Sequence, residues 1–191
     1  MYMQEVNKMK LMMIDLDGTL FDTKEINYRA YKEAIGAYGY NIDYKYYCEF
    51  CNGRHYTDFL PQITTTDESL LLDIHKRKKE AYSKYLKYGR VNQALVDLIR
   101  NRGWCKAALV TTASKQNTYD ILNEFGITGI FDLILTHEDI TKSKPDPEGF
   151  LKAMAKYNVK PEECIIFEDS GVGIEAAGRT GATVFVAKGF N

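Results

Sequence analysis

The sequence predicts an α/β fold: a parallel sheet flanked by helices, with a smaller helical unit inserted after the first strand. Three observations carry that expectation. Short apolar runs at residues 10–14, 105–110, 131–135, 164–167 and 183–186 are too brief for helices. From residue 105 on they alternate with helical patterns, as parallel strands joined by right-handed crossovers do. Residues 23–89 break that texture, because apolar side chains there recur at helical spacing and strand alternation is scarce. Acidic, hydroxyl and lysine side chains gather just after the apolar runs, where ligands bind in open α/β sheets.

The first run, residues 10–14, ends in Asp15-Leu16-Asp17-Gly18-Thr19. Side chains two apart share one face of a strand, so the carboxylates of Asp15 and Asp17 are expected side by side. Crowded carboxylates resist ionisation unless a cation or a proton lies between them. Gly18 allows a sharp turn and a close ligand approach. A strand that merely ends in a polar turn is the plainer alternative for these few residues alone.

The insertion follows. Ile26, Ala30 and Ala34 form one helical stripe, and Leu70, Ile74, Ala81 and Tyr85 another. Eleven of the fourteen tyrosines fall between residues 23 and 89, and tyrosine suits a half-wet surface. The basic run His75-Lys76-Arg77-Lys78-Lys79 reads as a solvated helix face. Cys48 and Cys51 form a C-x-x-C with no second cysteine or histidine pair to complete a zinc site, so reduced thiols are expected.

After the second run, Thr111-Thr112-Ala113-Ser114-Lys115 opens a helix expected over 115–125, with Ser114 as its cap and Gly126 as its terminator. Hydroxyls and free amides at a helix start bind anions. The run at 131–135 leads to Lys142-Ser143-Lys144-Pro145-Asp146-Pro147, where Pro145 restricts Lys144 to an extended conformation. Asp146 as N-cap and Pro147 as first helical residue predict a helix to about residue 157. The run at 164–167 ends on Glu168-Asp169-Ser170. Acids at the end of a buried strand need compensation, and a divalent cation supplies it. A helix to about residue 179 and a strand at 183–186 close the pattern.

Composition sets outer limits. The chain has 191 residues and a formal net charge of −1, which fits one domain with a modest insertion. No broad basic field invites nucleic acid or an anionic membrane. No apolar run approaches the roughly 20 residues of a membrane span, and no signal peptide is legible, so a cytoplasmic location is expected.

Asp15-x-Asp17-Gly18-Thr19, Thr112, Lys144 and Glu168-Asp169 together resemble the four motifs of the haloacid dehalogenase superfamily. The segments DGTLFDT, SKPDP and FEDSGVGIEAA look like its branch with an inserted helical cap, which includes phosphoglycolate phosphatase-like and beta-phosphoglucomutase-like enzymes. The resemblance implies a Rossmann-like catalytic core at residues 1–22 and 90–191 and a helical cap at 23–89. It implies a phosphatase in which Asp15 is the covalent nucleophile and Asp17 the acid/base. It also implies that Thr112, Ala113 and Lys144 hold the phosphoryl group. Mg²⁺ would sit among Asp15, the backbone carbonyl of Asp17, Asp169 and Glu168. Arg54, His55 or Lys115 would read the leaving group of a small phosphate monoester, a sugar phosphate or a nucleotide, with a monomer expected. Two departures weigh against a mutase: Asn27 stands where mutase-like relatives carry a histidine, and Tyr56 where they carry a phosphate-gripping cap arginine. Dehalogenation needs neither a metal cluster nor a second aspartate at position 17. A non-catalytic phosphate binder is opposed by the intact set of Asp15, Asp17, Lys144 and Asp169.

Overall fold

The computed structural model describes residues 9–188 and 190. The chain divides into two compact units: Thr23–Arg90, and the residues on either side of that insertion.

In the flanking unit, strand β1 (Leu11–Ile14) is followed by a short strand β2 (Phe21–Asp22), which precedes the insertion. The inserted unit contains α1 (Lys24–Gly36), α2 (Tyr44–Tyr46), α3 (Tyr56–Ile63) and α4 (Glu68–Ala81). Its core joins Tyr28, Tyr31, Ala34 and Ile35 of α1 to Phe59 and Leu60 of α3 and to Leu71 and Ile74 of α4. Of the tyrosines concentrated here, Tyr28, Tyr31, Tyr47 and Tyr82 are buried packing residues, with Tyr31 edge-on to Phe59 at 5.1 Å between centroids, whereas Tyr44, Tyr46 and Tyr88 are exposed. Cys48 and Cys51 both lie within a π-turn, Tyr47–Cys51, and all four cysteines are free thiols.

A short strand β3 (Arg90–Val91) closes the insertion, and α5 (Gln93–Arg100) follows it. The sequence reading did not anticipate α5, although it buries a clean stripe of Leu95, Val96 and Ile99. The alternation then runs β4 (Lys106–Val110), α6 (Lys115–Glu124), β5 (Leu133–Leu135), α7 (Glu148–Tyr157), β6 (Cys164–Glu168), α8 (Gly171–Gly178) and β7 (Thr183–Val186). All pairings in the five-stranded sheet are parallel, in the order β5-β4-β1-β6-β7. The α/β expectation of a parallel sheet flanked by helices is met.

β1 is buried at every position, as a central strand covered on both faces must be. Leu11 and Met13 pack with Phe150, Ala153 and Met154 of α7 and with Ala176 and Ala177 of α8. One start differs from the sequence reading. α7 begins at Glu148, with Pro147 rather than Asp146 at the cap position, and the Asp146 carboxylate accepts the Glu148 N–H at 3.0 Å from one residue further out. β5 likewise begins two residues later than the apolar run suggested, with Phe131 and a bend at Asp132 between the 3-10 turn Thr128–Ile130 and the strand. No described helix is long and apolar enough to cross a membrane.

Candidate active site

The register of the sheet places the acids. Ile14 at the end of β1 pairs with Leu109 of β4 and with Phe167 of β6, and Asp15 continues the ladder by donating its N–H to the Phe167 carbonyl at 3.0 Å. Asp15, Thr111 and Glu168 therefore leave three adjacent strands at one carboxyl edge. β1 is also where the strand order changes direction, the switch point at which such sheets bind ligands.

Lys144, from the loop after β5, reaches into that edge. Its ammonium donates to Asp15 Oδ1 and to Glu168 Oε1, the latter at 2.9 Å. The three side chains are 9%, 8% and 1% exposed. Glu168 is further held by the N–H groups of Asp169 at 2.8 Å and Ser170 at 3.2 Å, and by the Ser170 hydroxyl. These bonds hold the Glu168 carboxylate in one orientation, and it in turn fixes the direction of the lysine.

Asp169 completes an acidic group. One carboxylate oxygen each from Asp15, Glu168 and Asp169 lies within 4.8 Å of the other two. At that separation each like-charged pair repels by roughly 3–4 kcal/mol at an effective dielectric near 20, and one ammonium cannot neutralise three carboxylates. Burial pushes the Asp15 carboxyl well above the ordinary carboxylate range, with Glu168 and Asp17 adding to the push and Lys144 opposing it. Burial also raises Asp169, against the hydrogen bond from Thr19 Oγ1 at 2.8 Å. For Lys144 burial acts downward, but Asp15 and Glu168 outweigh it and hold the ammonium above its usual value. An all-oxygen, net-negative donor set of this kind suits a hard divalent cation.

Two glycines make room for these acids. Gly18 has φ +89°, and a Cβ there would lie 2.1 Å from Asp169 Oδ2. A Cβ on Gly173, in the first turn of α8, would lie 1.7 Å from Glu168 Oε1. Thr19 and Gly173 lie within motif segments that the sequence singled out, but neither had a role assigned from the sequence. Their partners are about 150 residues away in one case, and spacing along the chain does not reveal such a contact. Asp17 is partly exposed in the turn after β1, bridged to Phe21.

On the other side of Asp15, Thr112 is exposed at the end of β4 and lines a small cavity together with Lys142 and Lys144. Ser114 caps α6 by accepting the Asn117 N–H. The Ala113 N–H already donates to Thr111 Oγ1 at 3.0 Å, so the hydroxyl and amide of Thr112 and the Ser114 N–H are the donors this loop presents. Lys115 is exposed at the start of α6. Arg54 and His55 are exposed in the inserted unit. Tyr56 stacks on His75 there at 4.1 Å between ring centroids.

Residues 12–187 match the model of a family described as haloacid dehalogenase-like hydrolase. The chain is 28% identical over 183 residues to a phosphorylated carbohydrates phosphatase of Thermotoga maritima, covering 91% of this chain and 82% of that protein. It is 28% identical over 174 residues to the fructose-1-phosphate phosphatase YqaB of Escherichia coli, covering 89% and 92%. Among solved structures, CbbY of Rhodobacter sphaeroides in complex with phosphate superposes with a TM-score of 0.80 at 27% identity, covering 95% of this chain and 87% of that one.

Proposed function

We propose a function from one premise: the chain belongs to the haloacid dehalogenase-like hydrolase family. It is a phosphatase that hydrolyses a small phosphate monoester, a sugar phosphate by analogy with relatives named for phosphorylated carbohydrates and fructose 1-phosphate. The observation that carries this reading is Asp15 held by Lys144 at the carboxyl edge of the sheet, with Glu168 and Asp169 beside it.

In the proposed reaction an Asp15 carboxylate oxygen attacks phosphorus, and the bond from phosphorus to the leaving oxygen breaks. Asp17 gives its proton to that oxygen. The resulting aspartyl phosphate is then hydrolysed by a water whose proton Asp17 takes up, which returns both aspartates to their starting state. Lys144 steers one oxygen of Asp15 and places positive charge where the phosphoryl oxygens gather. Thr112, the Ser114 N–H and Lys144 hold the phosphoryl group; the Ala113 backbone expected there is already engaged, its N–H by Thr111 Oγ1 and its carbonyl by the His137 N–H. Asp15, the Asp17 carbonyl and Asp169 would hold Mg²⁺, with Glu168 alongside, and the ion supplies positive charge that lets an anionic nucleophile approach an anionic ester. Arg54, His55 and Lys115 are the candidates for leaving-group recognition. Asn27, at the position where a mutase-like relative would carry histidine, donates its amide to Thr23 Oγ1 at 3.1 Å. An amide does not titrate, so hydrolysis rather than intramolecular transfer is the reading it favours.

The test is phosphate release from a panel of sugar phosphates and an aryl phosphate with and without MgCl₂. Asp15→Asn should lower kcat by about 1,000-fold or more while leaving the thermal melt cooperative. Wild-type protein that releases no phosphate from any ester in Mg²⁺ would refute the proposal.

A further inference from the structure

The loop that presents Thr112 is anchored from outside the catalytic group. The Thr111 N–H donates to the Leu135 carbonyl at 3.0 Å, continuing the pairing of β4 with β5. The Ala113 carbonyl accepts the His137 N–H at 2.9 Å. The next N–H along the helix start, that of Lys115, donates to Glu138 Oε2 at 2.8 Å. The same oxygen accepts the Thr136 hydroxyl at 3.0 Å, and Asp139 in turn binds both the N–H and the hydroxyl of Thr136. A single turn, His137–Asp139, thus grips the loop on both sides of Ser114.

That grip has a directional consequence. A peptide unit is planar, with its C=O and the following N–H pointing opposite ways. With the Ala113 carbonyl turned toward His137, the Ser114 N–H is turned away from it. With the Lys115 N–H taken by Glu138, the helix start cannot rotate to present a different amide. Of the backbone N–H groups from Thr111 to Lys115, those of Thr111, Ala113 and Lys115 are taken by these anchoring bonds, which leaves those of Thr112 and Ser114.

We propose that Glu138 is a positioning residue that fixes the phosphoryl-binding loop Thr112–Lys115 from its outer side; this rests on the phosphatase reading above. Glu138 does not touch the substrate. It acts through the Lys115 N–H, and both of its bonds to the loop and to Thr136 land on one oxygen. A glutamine carbonyl can therefore replace that oxygen, and an alanine cannot.

The experiment measures inorganic phosphate binding by calorimetry in MgCl₂, together with kcat and KM on an aryl phosphate, for full-length Glu138→Gln and Glu138→Ala. Glu138→Ala is expected to weaken phosphate binding and raise KM by about tenfold, less than the roughly 100-fold that a 1 Å misplacement can cost. Its kcat should change far less, and Glu138→Gln should stay within about threefold of wild type in every constant. A second pair of variants removes the donor instead of the acceptor. Lys115 is the first residue of α6, where proline is favoured, and Ser114 before it is already extended at ψ 151°, as a residue preceding proline must be. Lys115→Pro deletes the N–H without breaking the helix, and Lys115→Ala controls for the lost charge. Lys115→Pro should weaken phosphate binding relative to Lys115→Ala by a similar factor. The proposal is overturned if Glu138→Ala and Lys115→Pro both bind phosphate as their controls do, if Glu138→Gln fails as badly as Glu138→Ala, or if wild-type protein binds no phosphate. A wild type that binds phosphate but turns over no ester would sink the enzymatic reading alone, and the binding constants would still decide the role of Glu138.

Discussion

Asp15 and Lys144 are buried together, and the balance around them is uneven. Asp15, Glu168 and Asp169 supply three carboxylates to one ammonium. The direction of the shifts yields a prediction with a definite sign. Asp15 and Asp169 both have folded-state values raised by burial, above unfolded values near 3.9. Between the unfolded and folded values the native state binds more protons than the unfolded chain, so stability falls as pH rises through that window. Other carboxylates act the other way: Glu148 and Asp132 are each held down to about 2 by hydrogen bonds and neighbouring cations. The comparison must therefore isolate Asp15. Without metal, the stability of wild type relative to Asp15→Asn should decline steadily as pH rises from about 4 to 8, and excess Mg²⁺ should flatten the decline. Chemical denaturation across that range checks it, and a relative stability independent of pH would contradict the electrostatic account.

At the scale of elements, the start of α8 shapes the site as much as any acid does. Ser170 caps the helix through the Gly173 N–H at 3.1 Å and also donates to Glu168. The helix can sit that close because position 173 has no side chain. Gly173→Ala would force a methyl into the Glu168 carboxylate, which must swing off Lys144. The expected outcome is a loss of about 1–3 kcal/mol in stability, the usual cost of overpacking, and a fall in kcat larger than stability alone explains, because Lys144 loses its second anchor. Denaturation and kinetics on the same preparation separate the two effects, and a variant with normal kcat would show that the Glu168–Lys144 bond is dispensable. The same element scale explains why α5 escaped the sequence reading. Its stripe is only two turns long and follows directly on the insertion, where helical spacing was already expected to end.

For the molecule as a whole, the division into two units suggests a division of labour. The unit carrying the acids and Lys144 has the parts for phosphoryl chemistry; the inserted unit, with its own tyrosine-rich core, is free to vary on its surface. Arg54 and His55 are exposed on that surface, and the leaving-group role proposed for them requires that they set relative rather than absolute rates. Arg54→Ala and His55→Ala should each change the ratio of kcat/KM between two sugar phosphates by about tenfold, a typical scale for one contact. An unchanged rank order across the panel would remove both residues from substrate recognition. Tyr56 is a different case, because its ring is stacked against His75 and its replacement should register first in the stability of the inserted unit.

The amino-acid sequence by itself determined the parallel α/β core, because buried strands, capped helices and turn residues are local signals with fixed periods. It also singled out Asp15, Asp17, Thr112, Lys144, Glu168 and Asp169, because each stands just past an apolar run, and a parallel sheet brings such ends to one edge. What those side chains bind was decided only in three dimensions. That Lys144 bridges Asp15 and Glu168, that Thr19 answers to Asp169, and that Glu138 holds the loop at Lys115 are contacts across tens of residues or more. They depend on strand register and loop path, which no local pattern encodes. Hydrogen bonds and charges act over a few ångströms of space, and only the folded chain says which residues are that close.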